Sequence, residues 1–342
     1  MRTKQNVNIG IDGITCTLSG CYITKEIKYP ENSKQYFIKI TPERTSTKIA
    51  IVLPRVLREN NIIAYRASDT TKILDTIQGI NQVLKKYLRR DWSDLYVDQL
   101  EVACTVDLGR IDEDSIYSLT QFMSMLFLEE KKPKKGGKNN AIKTKPVMKY
   151  CSGIPVKNCI YLKKEGVDSG ETSILSNKRL KFKWYSKGAG SEFGGNTSIF
   201  RIEGVYCLRG IQHVMRNKDG YITLQDILKT DVIRKFIMQF KRDYIEIVEP
   251  RIKGCLEELE EIMYEQLHES TVYNSFLISE QYMFDFNIFL RALKKYYKEQ
   301  DKTEGSYRKM KSVITKRMNE ETIVIPCRMI SVLDSISKEI HR

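Results

Sequence analysis

Residues 180–209 read LKFKWYSKGAGSEFGGNTSIFRIEGVYCLR, two alternating segments around a loop rich in Gly, Ser and Asn. Such an arrangement predicts a β-hairpin. Because side chains of a strand alternate between two faces, the first segment separates into an apolar face and a polar face. The apolar face carries Leu180, Phe182 and Trp184, and the polar face carries Lys181, Lys183, Tyr185 and Lys187.

The second segment of the predicted hairpin divides in the same way. Phe200, Ile202 and Gly204 share one face, and Arg201 and Glu203 share the other. If both apolar faces turn to a core, Tyr185, Lys187, Arg201 and Glu203 converge. This set suits phosphodiester cleavage: the Tyr185 oxygen attacks phosphorus, Glu203 helps to hold a divalent cation, and Lys187 offsets the developing charge. An ordinary surface is the alternative, since most tyrosines serve packing and exposed Glu–Arg pairs contribute little.

The hairpin motifs resemble the core of phage and plasmid rolling-circle replication initiators, in particular the filamentous-phage gene II replication protein family. The resemblance spans residues 98–245, with four motifs in order: LEVAC (100–104), NCIYLK (158–163), WYSKG (184–188) and FRIE (200–203). It implies a nicking enzyme in which Tyr185 forms a 5′-phosphotyrosyl link and leaves a free 3′-hydroxyl. Tyr161 is the next candidate for the nucleophile.

The first of the four motifs, LEVAC (100–104), supplies a second metal ligand by resemblance, Glu101. The resemblance implies an aspartate at this position. Members of the family also often have an acid soon after the Tyr-x-Lys motif, whereas this chain reaches Glu192 only after Gly190 and Ser191. Asp107 is the alternative ligand. Six residues of strand separate Glu101 from Asp107, about 20 Å, so the two cannot bind one metal ion.

Bulk composition bounds the partners of the chain. The 342 residues carry a net charge of +14, which favours a polyanionic partner, either nucleic acid or an anionic membrane. No apolar run approaches the ~20 residues that span a bilayer, and the N-terminus lacks the apolar core of a signal peptide. We therefore expect a protein of the host bacterial cytoplasm that binds no membrane.

Cysteine and histidine usage restricts the metal chemistry. The eight cysteines include no C-x-x-C pair, and the three histidines include no His-x-His pair. We interpret the cysteines as reduced packing residues. Any catalytic metal must then rely mainly on carboxylates, which suit Mg²⁺ or Mn²⁺.

The pattern of apolar residues predicts an α+β fold: an antiparallel sheet with helices on one face, a β-rich N-terminal portion and a helical C-terminal region. The N-terminal portion, residues 1–68, contains four segments that each have the pattern of a short strand, and we expect it to pack on or extend the catalytic domain. Those segments are NVNIGIDG (6–13), TLSGCYITKEI (17–27), QYFIKI (35–40) and KIAIVL (48–53). We assign no chemistry to this portion.

Residues 69–249 are predicted to form the nicking domain. Its elements are a strand over Tyr96–Leu108, the hairpin, and helices at Asp69–Leu88, Asp112–Glu130, Gly210–Asn217 and Leu224–Phe240. The helical region 250–342 is a candidate DNA-binding region, with helices at Arg251–Gln266, Glu280–Lys298, Ser306–Met318 and Arg328–Ile340. We interpret the last two as short basic helices of the kind that form a helix-turn-helix on DNA, although small helical bundles give the same pattern.

Residues 131–149 carry eight lysines and no acid. They are either a solvated linker or an arm on DNA, where each lysine that meets a phosphate releases counterions. The predicted DNA-binding residues are Lys131, Lys132, Lys134, Lys135, Lys181, Lys183 and Arg201.

The sequence thus predicts a rolling-circle initiator that binds single- and double-stranded origin DNA, with a host helicase and polymerase as further partners. The alternative is a DNA-binding regulator or structural replication protein without nuclease activity, in which Tyr185 is a surface tyrosine.

Overall fold

The structure is a computed structural model. It describes residues 6–31, 36–57, 64, 66, 68, 70–107, 123, 160–163, 172–176, 179–186, 199–217, 220–281, 286–320 and 329–341. The chain forms two compact units, the first made of Met1–Arg110 and Val156–Tyr244 and the second of Ile111–Pro155 and Ile245–Arg342.

The first unit is built on an antiparallel sheet with nine described strands. Their order across the sheet is β2-β3-β4-β1-β5-β9-β8-β7-β6. The strands are β1 (Asn6–Ser19), β2 (Ile27–Tyr29), β3 (Ile38–Pro42), β4 (Ser46–Val52), β5 (Tyr96–Asp107), β6 (Ile160–Lys163), β7 (Thr172–Ser176), β8 (Leu180–Ser186) and β9 (Ile199–Cys207). The N-terminal strands extend the sheet of the hairpin, because β1 pairs with β5 and β5 pairs with β9.

The first strand differs from the prediction. The sequence pattern predicts separate short strands over 6–13 and 17–27, whereas β1 runs unbroken through 14 residues. The pairing with β5 has register shifts between Ile11 and Gly13 and between Thr15 and Cys16, and the second lies at the expected break, residues 14–16. A bulge inserts one residue without ending the strand, so the Asp12–Gly13 pair marks a local distortion instead of a turn.

The predicted hairpin is confirmed. Strands β8 and β9 pair antiparallel, with Lys183 opposite Glu203 and Tyr185 opposite Arg201. Phe182 and Trp184 are buried, as the alternation requires. The Phe182 ring lies 6.0 Å, centroid to centroid, from Phe240 of the helix that covers this face.

Helices of the first unit are α1 (Leu53–Leu57), α2 (Thr70–Leu88), α3 (Leu208–Met215), α4 (Leu224–Ile227) and α5 (Thr230–Asp243). A 3₁₀ turn, Trp92–Asp94, precedes β5. The prediction of one helix over Leu224–Phe240 is wrong. A capping box of Thr223 and Asp226 starts α4 as expected, but Lys229 has an extended backbone (ψ 134°), so a new helix has to begin after it.

The second unit is helical in its described part. Its helices are α6 (Glu249–Glu269), α7 (Val272–Gln281), α8 (Phe286–Glu299), α9 (Glu304–Glu320) and α10 (Met329–His341). The buried stripe of α6, which includes Leu259 and Met263, packs on α8. A π-helical turn, Tyr244–Val248, lies at the boundary between the units.

The architecture is α+β, as predicted, with the sheet mostly N-terminal and the helices mostly C-terminal. The predicted helix Asp112–Glu130 and the basic segment 131–149 fall outside the described residues, apart from Met123. No helix in the described ranges is long and apolar enough to cross a membrane.

The close packing of α5 on the sheet at Gly204 can be tested by mutation. A Cβ added at Gly204 would lie 2.7 Å from Cδ2 of Phe240, which is fully buried. Gly204→Ala should therefore destabilise the first unit by about 1–3 kcal/mol through overpacking. Urea denaturation followed by tryptophan fluorescence measures this, because Trp92 and Trp184 both lie in the first unit.

The control is Gly254→Ala in α6, where an added Cβ meets no atom within 4 Å. This change should leave the tryptophan transition where it is. A Gly204→Ala variant as stable as the wild type would contradict the packing of α5 on β9.

Candidate active site

Four neighbouring strands place polar side chains on the sheet face opposite α5. These strands are neighbours in the order β1-β5-β9-β8, and β1 carries a β-bulge at Asp12. On β5, Glu101 and Thr105 point to this face, and the neighbouring strands contribute the remaining groups. Those are Asp12 of β1, Arg201 and Glu203 of β9, and Lys183 and Tyr185 of β8.

A buried arginine lies at the centre of the cluster. The Arg201 side chain is 0% exposed. Its Nη1 lies 2.9 Å from Oδ2 of Asp12 and 3.8 Å from Oε1 of Glu203. Its Nε donates a hydrogen bond of 3.1 Å to Oγ1 of Thr105, the residue directly opposite on β5. A buried guanidinium requires such partners, since an unpaired buried charge is costly.

The Tyr185 hydroxyl donates a hydrogen bond to Oε1 of Glu203. The two residues are two positions apart in register, because Tyr185 pairs with Arg201. Glu203 is nearly buried, with 4% of its side chain exposed, while Tyr185 is partly exposed. The Tyr185 hydroxyl is thus held by the carboxylate of Glu203.

Lys183 joins the two candidate metal ligands. Its Nζ lies 3.2 Å from Oε1 of Glu101 and 3.4 Å from Oε2 of Glu203. These two oxygens are consequently no more than about 6.6 Å apart, the sum of the two distances. Both carboxylates lie on one face of the sheet and contact the same ammonium group.

Burial and charge shift the pKa values of these groups. Burial, and next the negative charge of Glu203, raise the pKa of Tyr185 well above that of an ordinary tyrosine. Burial, and next Glu203, also raise the pKa of Glu101, which Lys183 opposes. For Lys183, burial lowers the pKa, but the attraction of Glu203 and Glu101 outweighs it and raises the pKa overall. The cluster therefore favours a protonated tyrosine beside a charged lysine.

The absence of a side chain at Gly13 leaves room for the Glu101 carboxylate. Gly13 lies opposite Glu101 in the β1–β5 ladder, and a Cβ added at Gly13 would lie 2.8 Å from Oε2 of Glu101. The Glu101 carboxylate thus lies over the bare backbone of the bulge. Of the two acids left open by the sequence, Glu101 lies beside Glu203, whereas Asp107 lies six residues further along β5, about 20 Å away.

Two residues predicted to contact DNA lie within the cluster itself. Arg201 is buried and bound to Asp12, so its guanidinium is not presented to a phosphate backbone. Lys183 is held by two carboxylates instead of extending from the surface. Lys181 lies on the same face of β8 and is half-buried. Lys187, Lys131, Lys132, Lys134 and Lys135 fall outside the described residues.

Sequence reasoning misses Asp12. The N-terminal portion carries no predicted chemistry, yet Asp12 is the nearest acid to the buried Arg201. The available signal is an acid next to glycine inside an apolar strand, IGIDG, which is typical of a bulge that redirects one side chain.

The residues of the cluster fit a divalent cation. Three carboxylates, of Asp12, Glu101 and Glu203, lie beside two cationic side chains, so the formal charge of these five groups is −1. Oδ1 of Asp12 is buried without a hydrogen-bond partner in the described part of the chain. No group of three or more His, Cys, Asp or Glu among the described residues is arranged as a metal cage. Mg²⁺ needs only one or two carboxylates when water and a substrate phosphate supply the rest.

Comparisons with known proteins add little to this geometry. No family model matches the chain, and no curated protein matches it. A solved structure of the rolling circle replication initiator protein from Geobacillus stearothermophilus matches at 9% identity and a TM-score of 0.29, covering 70% of this chain and 86% of that one. A TM-score this low carries no argument, so a function has to rest on the site.

The raised pKa of Tyr185 can be measured by NMR of protein labelled at tyrosine Cζ, with Tyr185→Phe to assign the signal. Tyr185 should remain protonated above the ~10 of a free tyrosine. Glu203→Gln should lower this pKa, because it removes a negative charge that opposes the phenolate.

Tyr206 is the internal control. Tyr206 donates a 2.8 Å hydrogen bond to Asp243, and its pKa is raised first by burial and then by this different carboxylate. Glu203→Gln should leave the Tyr206 signal in place. Equal shifts of both signals would show a general loss of structure and would count against the Tyr185–Glu203 contact.

Proposed function

We propose that this protein initiates rolling-circle DNA replication by cutting one strand of an origin with Tyr185 and later rejoining the ends. The hydrogen bond from Tyr185 to Glu203 carries the proposal. A nucleophile, an adjacent base and a group that orients the base are the usual signature of covalent catalysis, and here Arg201 orients Glu203. The sequence resemblance supports the DNA substrate and the polarity of the cut.

The proposed cleavage uses the contact between the Tyr185 hydroxyl and the Glu203 carboxylate. The Tyr185 oxygen attacks phosphorus, a tyrosine–phosphate ester forms, and the bond from phosphorus to the 3′ oxygen breaks. Glu203 is placed to accept the tyrosine proton, and the departing 3′ oxygen takes a proton from solvent water to become the hydroxyl that primes synthesis. Because the ester conserves the bond energy, the same site can rejoin strands by the reverse reaction.

Cations offset the charge that develops on the phosphate. Lys183 already lies between Glu101 and Glu203, and Lys187 remains the predicted second lysine. Glu101 and Glu203 are the residues that would hold Mg²⁺ or Mn²⁺. Such an ion polarises phosphoryl oxygens when bound.

The wider DNA contacts remain proposals from the sequence. Lys181, the lysine segment 131–149 and the basic helix α9 would add affinity by releasing counterions. We propose a host helicase and polymerase as further partners on the same functional grounds.

The nucleophile is tested by Tyr185→Phe, which keeps the ring and deletes only the attacking oxygen. Nicking of supercoiled origin DNA should fall below detection, while DNA binding persists. The measurement is conversion of supercoiled to open-circular DNA. Tyr206→Phe is the matched control, since Tyr206 lies on the face of β9 that packs on α5, opposite the face that carries Glu203.

Wild-type nicking by Tyr185→Phe would refute this assignment and direct attention to Tyr161. A wild-type protein that binds origin DNA but never cuts it would favour the alternative, a DNA-binding regulator or structural replication protein. In that case the ion cluster would serve only the fold.

The metal is tested by adding EDTA, which should stop nicking, and by adding Mg²⁺ or Mn²⁺, which should restore it. Gly13→Ala is the sharper variant, because its methyl group displaces the Glu101 carboxylate and leaves every charge in place. A misplacement of about 1 Å can cost on the order of 10²-fold in rate. We expect slower nicking and a higher Mg²⁺ concentration for half-maximal rate, with unchanged DNA binding.

Gly254→Ala in the second unit is the control and should nick at the wild-type rate. Full nicking in EDTA would overturn the metal. An unchanged Mg²⁺ dependence in Gly13→Ala would remove Glu101 from the ligand set.

A further inference from the structure

The helical layer of the first unit contains a concave surface with a volume of about 1450 Å³, lined by α3, α5 and the residue before β8. We call it the basic groove. Six cationic side chains line it: Arg179, Arg209, Arg216, Arg234, Lys235 and Arg242. Among the described residues that line it, the one carboxylate is that of Asp231, which lies 3.8 Å from Lys235. In the described part of the chain no carboxylate forms an ion pair with the arginines of α3 or α5.

The fold brings these cations together from separate segments. Helix α5 buries Ile233, Phe236 and Phe240 against the sheet, so its arginines point away from it at helical spacing. Helix α3 begins so close to the chain before β8 that a Cβ added at Gly210 would lie 2.3 Å from the carbonyl oxygen of Arg179. The cations of three segments therefore share one surface.

Arg216 occupies a backbone position that normally belongs to glycine. It ends α3 in the left-handed conformation, with φ 56° and ψ 29°. The Asn217 N–H donates to the Gln212 carbonyl at 3.0 Å, which completes a Schellman cap. A side chain raises the free energy of this conformation relative to glycine. Stability alone would thus favour glycine here, and the arginine side chain lies in the basic groove.

We propose that the basic groove binds the phosphate backbone of duplex DNA. The inference rests on DNA as the partner, as in the proposed function, and adds a site that the hairpin motifs do not include. Five of the six cations are arginines, whose guanidinium groups match phosphate oxygens in pairs. Arg234 and Arg242 are eight residues apart, about 12 Å along the helix, which corresponds to about three phosphates of one strand.

The lining favours duplex over single-stranded DNA. Sites for single strands combine cations with aromatic side chains on which bases stack. The basic groove is lined by no Phe, Tyr or Trp among the described residues. Its contacts would then be made to the backbone and carry no base information.

The groove and Tyr185 lie on opposite layers of the first unit, because α5 covers the apolar face of β8 and β9. A duplex held in the groove is therefore a different stretch of DNA from the strand at the hydroxyl. Binding and cutting should be separable by mutation.

The experiment compares two triple variants that remove the same charge. Arg209→Gln/Arg234→Gln/Arg242→Gln alters the groove, and Lys25→Gln/Arg44→Gln/Arg90→Gln alters exposed cations elsewhere in the first unit. Binding is measured in EDTA to a random 30-base-pair duplex, to a single strand of the same length and to phosphatidylglycerol vesicles. Circular dichroism confirms that both variants are folded.

The groove variant should bind the duplex at least about tenfold more weakly. Its slope of log K against log salt should become shallower by up to ~0.9 for each phosphate that the variant no longer neutralises. The control variant should bind less than twofold more weakly. Equal weakening in the two variants would overturn the proposal, as would weakening confined to the single strand or to the vesicles.

Arg216→Gly gives a second, independent readout. It should weaken duplex binding without lowering the melting temperature, since glycine suits the left-handed position. A lower melting temperature with unchanged binding would assign Arg216 to the fold and count against the groove. Binding in EDTA needs no cleavage, so these results stand apart from whether the wild type nicks DNA.

Discussion

The buried charge of Arg201 is the constraint on which the centre of the first unit depends. A guanidinium with no exposed surface needs acidic and hydrogen-bonding partners close by, and three strands supply them through Asp12, Thr105 and Glu203. Removing one partner of a buried ion pair costs about 3–5 kcal/mol in stability. The strand order and the site are therefore linked: β1 and β9 must flank β5 for Arg201 to be compensated.

The same compensation sets the chemical character of the site. Glu203 accepts a hydrogen bond from the Tyr185 hydroxyl and forms ion pairs with both Arg201 and Lys183. These three contacts fix the orientation of the Glu203 carboxylate. The hydroxyl stays protonated, because burial and the carboxylate raise its pKa. In the mechanism that we propose, Tyr185 would stay protonated until a phosphate, or a cation that accompanies it, changes the local charge.

Local patterns predict the parts of the structure that depend on local physics. Alternation indicates the hairpin and its faces, and amphipathic spacing locates α2 and α6. Partnerships over long sequence distances are harder to predict. Arg201 and Lys183 have the pattern of surface cations, because nothing nearby in the sequence reveals acids 189 and 82 residues away. The break after α4 also escapes prediction, since it depends on one extended residue, Lys229, within an apolar run.

The bulge in β1 has a consequence for how this strand can change. Asp12 reaches Arg201 because one residue is inserted into the ladder, and Gly13 then leaves room for Glu101. Deleting a single residue there would remove this bulge and at the same time withdraw the counterion of a buried cation. The segment should therefore tolerate apolar exchanges more readily than any change in its length. In a population of variants, insertions and deletions between Ile11 and Gly13 should disappear before most substitutions elsewhere in β1.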